Sequence, residues 1–125
     1  MALADVVERA GASAGAHRLG DPSVAEALGA ASLVVQATSC GMAGGGDSGA
    51  LLAGAPLAAC ARGTAAVDLV YAPPVTPWMR AAEAAGLRVL EGAGAQMLAG
   101  QGAAALARWT GREAPVVVMR AALWL

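Results

Sequence analysis

The chain has 125 residues, enough for one domain with its own core and short for a two-domain enzyme. Apolar residues make up 58% of it, with no Phe and one Tyr, so the core has to be built from Ala, Val and Leu at close range, and a disordered chain is excluded. Eight Arg against nine Asp plus Glu leave a formal charge of −1 with no Lys and no basic cluster. Neither nucleic acid nor an anionic membrane surface is therefore an expected partner, and lysine-dependent chemistry is beyond this chain.

Cys40 and Cys60 lack metal-ligand spacing and His17 is the single His, so no zinc or iron–sulfur site is expected, and a reduced cytoplasmic protein is the plain reading. The longest uncharged stretch, Ala27 to Gly46, is broken by five glycines and by Ser, Thr and Gln, which argues against a transmembrane helix. Residues 1–15 carry acids where a signal peptide carries bases, so export is not expected.

In chain order, Ala2–Ala10 is helix-prone, Ala14–Leu19 suits a brief edge strand, and Asp21-Pro22 opens a short helix that closes at Gly29. Ser32–Ala37 reads as a buried strand running into Thr38, Ser39 and a glycine-rich loop to Gly49. That loop lacks the Lys-Ser/Thr end of a phosphate loop and reads better as a flexible surface loop than as a phosphate nest. Leu51–Ala61 is a poorly periodic helix broken at Pro56.

Ala65–Tyr71 is an apolar run interrupted by Asp68 and closed by Pro73 and Pro74, the pattern of a strand buried on both sheet faces. Asp68, inside such a strand, is better read as hydrogen-bonded to neighbouring amides than as a general acid. Thr76-Pro77 then supplies a helix cap and a first-turn proline, so Pro77–Ala85 should be helical. Leu87–Leu90 is a further short strand, Gln96–Thr110 a long helix ended by Gly111, and Pro115 starts a last apolar helix suited to packing on the sheet.

Gly92 and Gly94 have the spacing of a dinucleotide fingerprint, but Met97 stands where its third glycine belongs; the glycines could equally let a strand and a helix meet closely. The expected fold is α/β, a partial Rossmann-like parallel sheet of three to four strands flanked by helices in one incomplete domain over residues 1–125. Ligands lie beyond the carboxyl ends of such strands, where Thr38, Ser39, Tyr71 and Gly94 fall. Thr38 and Ser39 could instead cap the following loop, Tyr71 could pack under the proline loop, and His17 reads as a surface residue.

The segments QATSCGM at 36–42, DLVYAPPVTPW at 68–78, GAQMLAGQGA at 94–103, RWTGREAP at 108–115 and VMRAAL at 118–123 resemble, in order and spacing, the carboxyl-terminal NADP-binding domain of shikimate dehydrogenases. The resemblance implies that Ala37, Thr38, Ser39, Leu69 and Gly94 face NADP. It gives Tyr71 and Gln101 to the substrate, shikimate or 3-dehydroshikimate, and no catalytic residue to this chain. The family's catalytic Lys and Asp belong to an amino-terminal domain, and its glycine-rich turn and 2′-phosphate Arg would precede Met1. The family has Asn where Gln36 stands, Asn for Ala72 and Gly for Gln96. The expectation is a truncated, inactive part of a shikimate pathway oxidoreductase, or a non-catalytic nucleotide- or protein-binding module, with self-association through an exposed sheet edge.

Overall fold

The computed structural model describes residue 7 and residues 9–123, so most of the helix expected at Ala2–Ala10 lies outside the described residues. Three apolar runs form strands, β1 (Leu33–Gln36), β2 (Ala65–Asp68) and β3 (Arg88–Val89), paired parallel in the order β1-β2-β3. Parallel neighbours need crossovers. The first crossover is α2 (Ser48–Gly54) with a 3₁₀ turn at Leu57–Ala59; the second is α3 (Pro77–Ala84). Ahead of the sheet stands α1 (Pro22–Ala30), and after it come α4 (Ala93–Thr110) and α5 (Val116–Ala122).

The caps follow the local chemistry. Pro22 and Pro77 occupy first-turn positions, where a missing N–H costs nothing, and the Thr76 hydroxyl accepts from the Met79 amide at 3.1 Å. Asp47 accepts from the Gly49 amide at 2.8 Å to open α2. Ala66 of β2, fully buried, is packed with Leu57, Cys60, Trp78, Met79, Ala82 and Leu87, so one sheet face is closed by the two crossovers. α4 lies against β2 with Ala95, Ala99 and Ala103 buried, small side chains that let backbones approach.

Several expectations need correcting. Ala14–Leu19 is not a strand; the segment leans on α2 instead, with the Gly20 amide bonded to the Gly54 carbonyl at 2.8 Å. β2 is sealed on one face and only half covered by α4 on the other, where Ala65 and Val67 are half-buried, while Leu33 and Val35 beside them on β1 are 51% and 46% exposed. It also ends at Asp68 and not Tyr71. After a last ladder bond from the Leu69 amide to the Gln36 carbonyl (3.0 Å), the Val70 amide turns to the Asp68 side chain. α4 begins at Ala93 and not Gln96, because Gly92 takes φ 69° and its carbonyl accepts the first helical bond, from Gln96. α5 packs chiefly on α4, where Met119 meets Gly102, and less on the sheet than its apolar spacing suggested.

Candidate functional site at the carboxyl rim

Because the strands are parallel and in register, Gln36 and Asp68 stand side by side at the same rim, and the loops that follow them leave the sheet together. The first loop carries Ala37, Thr38 and Ser39, all exposed. Its glycine-rich continuation is a closed turn and not a loose loop: the Met42 amide bonds to Ser39 O (3.1 Å), the Gly45 amide to Met42 O (2.9 Å) and the Gly41 amide to Gly46 O (3.4 Å). The Thr38 hydroxyl accepts from the Cys40 amide at 3.1 Å, which caps this turn.

The second loop carries Leu69 and Tyr71 and meets the start of α4. A Cβ on Gly94 would lie 2.7 Å from the Leu69 carbonyl oxygen and 2.9 Å from that of Val70, so helix and strand touch backbone to backbone there. Tyr71, 43% exposed, lines a cleft of about 40 Å³ with Asp68, Val70, Gly92, Gly94 and Leu123. A wider recess of about 280 Å³ between Pro74, Val75, Glu91 and Gln96 adjoins it through Pro74 and Gly92. On the core side of β1, Ala37 and Thr38 border an apolar recess of about 190 Å³ that reaches Trp78.

Leu69, Tyr71 and Gly94 are thus brought together, and Ala37, Thr38 and Ser39 stand on the neighbouring loop of the same rim. Gln101 is set apart. It is exposed and stands eight residues beyond Ala93, about 12 Å along the axis of α4, on the same stripe as Gly94 seven positions earlier. His17 is exposed, with Nδ1 2.9 Å from the Ser23 hydroxyl.

Beneath the two loops lies a buried polar cluster that the sequence reading resolved only in part. Asp68, 3% exposed, accepts from the Val70 amide (Oδ1, 2.9 Å), the Gln36 side-chain amide (Oδ1, 3.2 Å) and the Thr76 hydroxyl (Oδ2, 2.5 Å). Gln36, 4% exposed, also donates to the Cys40 carbonyl (2.9 Å) and accepts from the Thr38 amide. Among the described residues no buried side-chain N or O is left without a partner. Removing Asp68 would strand donors at a cost of about 1–3 kcal/mol each. The bond from the Val70 amide is the role expected of Asp68; Gln36 and Thr76 were missed as its partners. The available signal was a polar residue closing each of two apolar runs.

Comparison with known proteins agrees with this geometry. The family model of the shikimate 5′-dehydrogenase C-terminal domain matches residues 94–123. A shikimate dehydrogenase (NADP(+)) of Citrifermentans bemidjiense is 45% identical over 114 residues, covering 91% of this chain and 37% of the relative. The chain is related to the carboxyl-terminal domain of shikimate dehydrogenases. The crystal structure of a shikimate 5-dehydrogenase from Mycobacterium fortuitum superposes with a TM-score of 0.70 at 35% identity, over 96% of this chain and 40% of that one. Quinate dehydrogenase from Corynebacterium glutamicum, in complex with NAD, follows at 0.69 and 30%, over 94% and 39%. The chain therefore spans well under half the length of these shikimate and quinate dehydrogenases. Among the described residues no helix is long and apolar enough to cross a membrane, and no group of three or more His, Cys, Asp or Glu is placed to hold a metal ion.

Proposed function

We propose that this chain forms the nicotinamide-side wall of a dinucleotide pocket and one side of the adjoining substrate pocket. Ala37, Thr38, Ser39, Leu69 and Gly94 face NADP, and Tyr71 and Gln101 face shikimate or 3-dehydroshikimate. The observation that carries this reading is that Tyr71 and Gly94 line one cleft at the carboxyl rim of a parallel sheet, with the Leu69 carbonyl against Gly94, in a chain 45% identical to a shikimate dehydrogenase over most of its length.

The residues present suit one end of the cofactor. Thr38 and Ser39 offer hydroxyls suited to a ribose, and the Leu69 segment, whose amides at 69 and 70 are already bonded to Gln36 and Asp68, has only carbonyl oxygens to accept from an amide edge. The segments 36–46, 69–77 and 90–96 contain no Arg or Lys, so a diphosphate has no cation here. When bound, the nicotinamide supplies the hydride that reduces a substrate carbonyl. This chain's share is positioning: the Tyr71 hydroxyl donates to the substrate's carboxylate end, and the rim loops shield the nicotinamide face from water. Proton delivery to the new hydroxyl needs a lysine, which this chain lacks. The isolated polypeptide accordingly does not turn over, and the cytoplasm, where Cys40 and Cys60 stay reduced, is its compartment.

The test is a pair of titrations on amide-resolved spectra. NADP is expected to shift residues 37–39, 69 and 94, and shikimate to shift 71 and 101. Shifts gathered instead on α5, or none at any concentration, would remove this reading, and NADPH-dependent reduction of 3-dehydroshikimate by the purified chain would remove the inactivity. β1 is an edge strand among the described residues, and Leu33 and Val35 are exposed on the sheet face beside that edge, which favours a second reading, a non-catalytic module that binds another protein or a copy of itself there.

A further inference from the structure

Two adjacent strands end on buried polar side chains at one register position, Gln36 beside Asp68. We infer that Gln36 and Asp68 are positioning residues, a cross-strand staple that sets the loop carrying Thr38 at a fixed spacing from the loop carrying Tyr71. The ligand named in the test below rests on the proposed function; the staple itself does not.

The argument is one of donors and acceptors. The Gln36 Oε1 accepts from the Thr38 amide, while its Nε2 donates both to the Cys40 carbonyl at 2.9 Å and to Asp68 Oδ1 at 3.2 Å. A carboxylate at position 36 could accept but not donate, and an apolar side chain could do neither; only an amide serves all three directions. The orientation is fixed by the partners, since a backbone N–H cannot accept and a carbonyl cannot donate. On the other strand, Asp68 Oδ1 also accepts from the Val70 amide at 2.9 Å, one residue before Tyr71. Its Oδ2 takes the Thr76 hydroxyl at 2.5 Å, and that hydroxyl in turn accepts the Met79 amide at 3.1 Å. Three side chains, Gln36, Asp68 and Thr76, thereby tie the backbone at Thr38, Cys40 and Val70 to the first turn of α3.

A purely structural filler at these positions would not need this wiring, because swapping a satisfied buried polar pair for apolar groups of equal shape is often nearly neutral. The wiring instead ends on backbone groups of the two loops that carry the candidate cofactor and substrate contacts. Gln36 has a shorter chemical equivalent: an Asn side chain readily reaches the amide two residues on.

The experiment compares wild type, Gln36→Met and Gln36→Asn by amide hydrogen exchange, with a fluorescence titration of NADPH alongside. Gln36→Met keeps the volume and deletes the bonds. It is expected to speed exchange about tenfold at the Thr38 amide, the amide that Gln36 accepts, while α1 and α4 stay within about twofold, and to weaken NADPH by a similar factor. Gln36→Asn is expected to restore most of the Thr38 protection and of the affinity. Unchanged exchange at Thr38 in Gln36→Met overturns the staple. So does uniform acceleration of all amides, or a Gln36→Asn chain that behaves like Gln36→Met. Wild type that fails to bind NADPH overturns the proposed function, with the exchange results still deciding the staple.

Discussion

On one face of the sheet Ala66 is sealed beneath Trp78, Met79 and Leu87, while on the other Leu33 and Val35 stand about half exposed. Both faces are built from the same apolar runs. What separates them is connectivity: the two crossovers fall on the first face, whereas α4 runs against β2 and does not reach β1 closely enough to bury it. Apolar character in a strand thus reports what a face could bury, and the helices decide what it does bury.

The sharpest way to break the comparison is to hollow out the closed face. Trp78→Ala, at a side chain 3% exposed, should cost about 3–5 kcal/mol, a large part of a small domain's stability. Trp109→Ala, at a side chain 81% exposed, should move the urea midpoint little, within about 0.5 kcal/mol. Equal losses from both would deny the difference. Next come two glycines of α4. Gly94→Ala drives a methyl into the Leu69 carbonyl and should cost about 1–3 kcal/mol, whereas Gly100→Ala, with open space around it, should gain up to about 1 kcal/mol from helix propensity. Thermal melts of the pair decide the sign.

Cys60 tests the closed face by titration. Burial pushes its thiol above the ordinary value of 9.0. The unfolded chain therefore ionises first, so this group's contribution is complete below about pH 9 and fades as pH rises toward the folded value. A thiol reagent near pH 8 should label the partly exposed Cys40 quickly and Cys60 only after unfolding. The smallest effect on stability belongs to the open face. Leu33→Ser with Val35→Thr should change unfolding by about 0.5 kcal/mol or less, and on the second reading proposed above wild type should sediment as more than a monomer and this variant less so. A large loss of stability would mean that this face is packed after all.

Much of this was legible in the chain. Val-rich runs closed by Pro, Gly or polar residues gave three parallel strands, and Thr76-Pro77 gave the start of α3, because caps and prolines act locally. The close approach of strand and helix at Gly94 was legible as one of two equal readings, the other being a dinucleotide turn. Long-range choices were less visible. Nothing in Ala14–Leu19 says that Gly20 will bond to Gly54 and draw the segment to α2, and nothing in the last apolar run says that Met119 will seat on Gly102 and pair α5 with α4. The rim residues were found at strand ends, but the partnership of Gln36 with Asp68 needs the register of two strands 32 positions apart.

The contact at Gly94 has a mechanical consequence. Where side chains separate two elements, each substitution shifts the spacing; where peptide unit meets peptide unit, the spacing is set by bond lengths and van der Waals radii and cannot drift. α4 is therefore pinned at its first turn. Repacking further along it, around Ala103 or Met119, swings the distal end about a fulcrum at the rim, and Gln101 travels with the swing while Tyr71 and Leu69 stay where they are.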